Sequence, residues 1–193
     1  RSLIMKKWFV IAAITLAVSG CSSAPEGVNT FLLPAGKTLT VSHATHQPLL
    51  IVRPVEVAEH LAGNGLVYQT SATEIVEAQQ NLWGEALAKQ LTRRITHDLR
   101  QKQNHLWATQ LTPTLSTVGA SRLQVRINQF NGVYTGVANI AGEWMIIGEN
   151  GNLQTVHPFE FSVPLAKDGY SAQVEALSTA VDELTTQIAN AVK

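Results

Sequence analysis

The sequence predicts an α+β fold, a largely antiparallel sheet with two amphipathic helices packed on one of its faces. Three observations predict it. Between Arg122 and Val163 apolar and polar residues alternate through three consecutive runs, the period of strands with one dry and one wet face. Two other segments repeat their apolar residues at three-and-four spacing, the period of a helix lying on a core. Turn signals rich in glycine and asparagine separate the alternating runs, as an antiparallel meander requires.

Taken in order, residues 31–34 read as a short first strand and residues 36–48 as polar loop. Residues 49–57 form a strand rich in β-branched residues, and Pro54, which lacks a backbone donor, places it at an edge or kinks it there. Leu61-Ala62-Gly63-Asn64-Gly65 is a tight turn, followed by a hairpin of residues 66–71 and 74–78. Asn81 caps a helix running to about Lys102, with Trp83, Leu87, Leu91, Ile95 and Leu99 on its apolar stripe. Its other face carries Lys89, Arg93, Arg94, Arg100 and Lys102, read as a solvated surface interrupted by Glu85 and Asp98.

The three alternating strands then cover residues 122–130, 137–147 and 153–163. Asn150-Gly151 supplies a two-residue hairpin signal, and His157 falls among core positions as a partly buried imidazole. Asp168-Gly169 turns the chain into a final helix with Ser171 as its cap. Val174, Leu177, Val181, Leu184, Ile188 and Ala191 form that helix's seam. Trp83, Trp107 and Trp144 are assigned to the core.

The N-terminus carries the strongest motif. Lys6-Lys7 precede an uncharged apolar run over residues 8–18. That is about half the roughly 20 residues an apolar helix needs to span a bilayer, so it reads as a signal segment. It ends in Leu16-Ala17-Val18-Ser19-Gly20-Cys21, with small residues before the only cysteine in the chain. This resembles the bacterial lipobox, in which the cysteine is acylated, with chains such as palmitate, and the preceding bond is cut. A lone free thiol suits an oxidising compartment poorly. Met5 is the expected start, with residues 1–4 upstream of it. Residues 1–20 are then a signal peptide, 21–30 the lipidated cysteine and tether, and 31–193 a single periplasmic domain. Several acyl chains, at about 0.8 kcal/mol per buried methylene, hold such a protein on a membrane almost permanently. Ser22, in place of the aspartate that commonly retains lipoproteins at the inner membrane, points by the same resemblance to the periplasmic side of the outer membrane.

Composition and motifs exclude several functions. Removing residues 1–20 takes away Arg1, Lys6 and Lys7, leaving eleven basic residues against fourteen acidic, a net of about −3. No basic stripe is present for a phosphate backbone, which excludes nucleic acid as the partner. There is no nucleophile elbow, phosphate loop or His-Glu-x-x-His pair, and acylation removes the one thiol, so no catalytic residue is assigned. His43-x-x-His46 is the only close histidine pair; without nearby carboxylates or thiolates it is not assigned a metal. No cofactor is expected.

Leu61-Ala62-Gly63-Asn64-Gly65-Leu66-Val67-Tyr68-Gln69-Thr70-Ser71 is followed by Asn81-Leu82-Trp83, Phe130-Asn131-Gly132, Gly142-Glu143-Trp144 and Asp168-Gly169-Tyr170. In this order behind a lipobox, these segments resemble the ABC-type transport auxiliary lipoproteins across nearly the whole mature chain. The resemblance implies a non-enzymatic component working beside an MCE-domain protein, whose assemblies conduct lipids between the inner and outer membranes. It also implies membrane attachment through the lipid anchor, a role in envelope integrity, and self-assembly as an open possibility. The alternative is a binding or scaffold lipoprotein of another cell-envelope machine. The candidate partner contacts are the turn Gly63, Asn64 and Gly65 with Tyr68, and the connection from Asn131 with Tyr134. Aromatic residues beside glycine turns bury area at little entropic cost; equally, the glycines satisfy positive φ and Tyr68 is half core. Cys21→Ala should shift the protein away from the outer-membrane fraction. Mass spectrometry of the wild-type protein should find the mass of residues 21–193 plus acyl chains.

Overall fold

The computed structural model describes residues 27–36 and 40–192; the signal segment, Cys21 and most of the tether lie outside the described residues. The strands are β1 (Asn29–Phe31), β2 (Leu49–Val52), β3 (Glu56–Val57), β4 (Gly65–Gln69), β5 (Ile75–Trp83), β6 (Trp107–Gln110), β7 (Ser121–Val133), β8 (Val137–Ile147) and β9 (Leu153–Pro164). The helices are α1 (Leu87–Lys102) and α2 (Tyr170–Ala191), with a 3-10 turn at Glu59–Leu61. The α+β class predicted from periodicity is the class that forms.

All nine strands belong to one sheet built on β7. On one side β7 pairs antiparallel with β8, and β8 with β9, giving the expected meander. On its other side three short strands lie parallel to it in succession: Leu50 opposite Ser121, Glu56 opposite Arg126, and Tyr68 opposite Gly132. The antiparallel ladders are the long ones, but the sheet is mixed. The hairpin β4–β5 is antiparallel, while β1 and β6 add in parallel to β5 and β2.

Several sequence expectations need correction. Residues 49–57 are kinked at Pro54, splitting into β2 and β3, but β2 is no edge, since it sits between β6 and β7. Asn81-Leu82-Trp83 is not the start of a helix. These residues continue β5, where Asn29, Thr30 and Phe31 pair with them, and α1 begins four residues after Trp83. The stripe of every fourth residue could not reveal this, because Trp83 reaches the core equally well from a strand end, with only 8 % exposure. Trp107 starts an unforeseen strand and is half-buried, its ring packed under the Arg100 guanidinium at 4.3 Å. His157 is exposed, stacking on Trp144 at 4.4 Å between centroids. Gly169, at φ 108°, occupies the cap position of α2, and Ser171 lies inside the first turn.

Both helices cover one face of the sheet. Leu91, Ile95 and Leu99 of α1 and Leu177, Val181, Leu184 and Ile188 of α2 are fully buried with Leu50, Leu123, Ile140 and Trp144 of the sheet. Each such side chain contributes about 1.5–3 kcal/mol by leaving water.

The cationic face of α1 is mostly engaged in the protein. Arg94 is buried and its Nε donates to both carboxylate oxygens of Asp98, at 3.0 and 2.9 Å. Its Nη1 donates to the Pro34 carbonyl at 2.7 Å and to Ser178 Oγ of α2 at 2.8 Å. Thr185 Oγ1 donates to Asp98 Oδ2 at 2.8 Å, and Lys102 Nζ to the Asp182 carboxylate at 2.8 Å. The network joins α1, α2 and the segment that follows the tether. Asp98→Ala should strand a buried guanidinium and cost about 3–5 kcal/mol, whereas the double change Arg94→Met/Asp98→Leu should cost far less. Urea denaturation of the two variants checks this.

Candidate functional site

Tyr68 lies near the end of β4, Tyr134 in the turn from β7 to β8, and Tyr170 opens α2. They are the only three tyrosines in the chain, and all three line one cleft of about 330 Å³. Each reaches it by a different route. Tyr68 is placed by the parallel pairing of β4 with β7. Tyr134 is fixed by its own N–H, which donates to the Gln69 carbonyl at 2.9 Å. Tyr170 is set by the turn through Gly169, whose positive φ suits a residue without Cβ.

The cleft floor depends on Gly132. A Cβ there would stand 2.4 Å from Gln173 Oε1 and 3.0 Å from the Tyr68 ring, so both side chains rest directly on the backbone. Gln173 is 2 % exposed, and its Nε2 donates to the Val67 carbonyl at 2.9 Å. Its Oε1 accepts no hydrogen bond from any described residue. The phenol oxygens of Tyr68, Tyr134 and Tyr170 are likewise unbonded among the described residues. Burial, and secondarily the neighbouring Tyr68, pushes the Tyr170 phenol above the ordinary tyrosine range, so its hydroxyl stays protonated at any physiological pH. Asp168 lies at the exposed rim.

The predicted contact residues divide. Tyr68 and Tyr134 come together. Gly63 and Asn64 are exposed but sit before the start of β4, which is itself about 10 Å from Tyr68 at roughly 3.3 Å per residue. Gly65 is buried, and neither Gly63 nor Gly65 has positive φ. Close approach explains the second of them: a Cβ on Gly65 would be 2.1 Å from the Ala78 carbonyl, and its N–H donates to Glu77 Oε1 at 2.9 Å. Asn131 is not an exposed loop residue. It is an interior residue of β7, 3 % exposed, with its Nδ2 on the Gly132 carbonyl at 2.9 Å. Tyr170 was not singled out as a contact, although each tyrosine falls within two residues of a glycine or of a turn, and that recurrence was readable.

Chemistry elsewhere is sparse. His43 Nε2 donates to the Gln47 carbonyl, 3.1 Å away, and the ring sets its edge on Trp107. Among the described residues no group of three or more His, Cys, Asp or Glu is placed to hold a metal. Arg126 bridges Glu56 and Glu143 on the surface, a solvated cluster worth little. No helix among the described residues is long and apolar enough to cross a membrane.

Residues 31–189 match the model of the ABC-type transport auxiliary lipoprotein component family, and the chain belongs to that family. It is therefore an auxiliary, non-enzymatic transport lipoprotein. It is 37 % identical over 191 residues, covering 98 % of both chains, to the intermembrane transport lipoprotein PqiC of Escherichia coli K12. The Shigella flexneri protein of the same name matches equally. A crystal structure of an uncharacterized protein superimposes with a TM-score of 0.76 at 30 % identity, over 87 % of this chain and 100 % of that one. A protein from Xanthomonas campestris shares the fold, with a TM-score of 0.65 at 13 % identity over 83 % of this chain and 92 % of that one.

Gly132→Ala should overpack the cleft floor and cost about 1–3 kcal/mol. Gly27→Ala, with nothing within 4 Å of the new methyl, should leave the urea midpoint nearly unchanged.

Proposed function

We propose that this chain is an outer-membrane-anchored periplasmic lipoprotein and an accessory component of an MCE-type, Pqi-like intermembrane lipid transport system that supports envelope integrity. A PqiB-like MCE-domain protein contacts it at the tyrosine end of the sheet. The observation that carries the reading is the convergence of all three tyrosines on one cleft, at a rim that also exposes apolar surface. Tyr134 is 52 % exposed there. Ile75 and Val76, opposite Gln69 and Tyr68 across the hairpin, are 45 % and 38 % exposed. Tyrosine and aliphatic residues around a concavity are the composition of an interface centre.

The anchor fits the same role. Asn29 is the eighth residue after Cys21, so the domain stays within about 26 Å of its lipid, at roughly 3.3 Å per residue. A component held that close to one membrane is suited to receiving an assembly that reaches across from the other. The 12-residue outer edge of β9 is free of a partner strand among the described residues, which leaves an edge for self-assembly into a homo-oligomer.

A photocrosslinking residue at position 134 in growing cells should capture an MCE-domain protein, and Tyr68→Ala should reduce the yield several-fold. Capture of only peptidoglycan-associated or barrel-assembly proteins would sink the transport role and favour a scaffold in another envelope machine.

A further inference from the structure

The tyrosine cleft also carries groups that suit a small ligand of two charges. Tyr68, Tyr134 and Tyr170 line it, and aromatic rings attract ammonium ions through their quadrupoles. Gln173 adds an unbonded acceptor oxygen from a side chain only 2 % exposed, and Asp168 adds a carboxylate at the rim. These are the acceptors an ammonium with three N–H donors requires.

Beside these groups the same cleft holds donors. The 22-residue α2 begins here, no side chain caps it, and no acidic residue lies in its first turn. Its first intrahelical bond is Gln173 N–H to the Gly169 carbonyl at 3.1 Å, which leaves the N–H groups of Tyr170, Ser171 and Ala172 without partners among the described residues. Unpaired amides and the positive end of a helix dipole attract phosphate. Cation-seeking and anion-seeking groups thus share a volume of about 330 Å³.

We infer that the cleft binds the headgroup of a zwitterionic phospholipid, with its ammonium against the three tyrosines, Gln173 and Asp168 and its phosphate at the start of α2. This rests on the lipid-transport reading and extends it, making the domain a contact for cargo as well as for a partner.

The test uses the full chain, held by its own lipid in nanodiscs of phosphatidylglycerol alone, a bilayer without ammonium groups. Saturation-transfer NMR with glycerophosphoethanolamine should find saturable binding. Asp168→Asn, an exposed and isosteric change, should weaken it at least tenfold, as should Tyr170→Ala. Glycerol 3-phosphate, which lacks the ammonium, should bind at least tenfold more weakly, and discs made with phosphatidylethanolamine should displace the soluble probe. Equal binding of glycerol 3-phosphate, or no binding of either probe, would overturn the assignment. Soluble binding that phosphatidylethanolamine discs leave untouched would assign the cleft to a free zwitterion and overturn the lipid assignment. Asp168→Asn should meanwhile preserve the crosslink from position 134. Loss of that crosslink in a wild-type protein that still binds the headgroup would fail the partner reading alone.

Discussion

Everything that builds the tyrosine cleft is hung on β7. A 13-residue strand in the middle of a sheet presents two rows of backbone donors and acceptors, and leaving buried ones unpaired is costly. One row is satisfied along its length by β8. The other is satisfied in instalments by β2, β3 and β4, three pieces of chain arriving in succession. That arrangement lets residue 68 lie opposite residue 132, and it fixes the level at which α2 must start. Pro54 has a structural use here: it interrupts what would have been one long strand, and the chain re-enters the ladder one register further on.

The buried pair Arg94–Asp98 sets how the helices sit on that sheet. An ion pair with both side chains under a tenth exposed carries a desolvation cost that Coulomb attraction alone repays poorly. Its value lies in the additional bonds. Arg94 reaches the Pro34 carbonyl and Ser178, Asp98 accepts from Thr185, and Gln90 accepts from the Leu33 N–H at 2.8 Å. The segment leaving the tether is therefore pinned to the same helices that roof the sheet.

Function in this protein rests on placement more than on reactivity. The chain belongs to a family of auxiliary transport lipoproteins, and its distinctive chemistry is a cleft of phenols, one free carboxamide oxygen and an uncapped helix start.

The alternation through residues 122–163 and the seam from Val174 to Ile188 were legible in the sequence, because face and period are local properties that a strand or helix imposes on its own residues. Local periodicity does not record which strand a segment pairs with. It therefore missed the parallel ladders, placed Asn81-Leu82-Trp83 in a helix, and passed over the short strand at Trp107. The candidate site was half legible: Tyr68 and Tyr134 stood out beside their glycine turns, while Asn131 looked exposed and Tyr170 was passed over. On its own, then, the sequence determined the fold class and the two helical faces. The tertiary structure decided that residues 68, 134 and 170, each separated by dozens of positions, share one cleft, because only long-range pairing on β7 brings those three chain segments together.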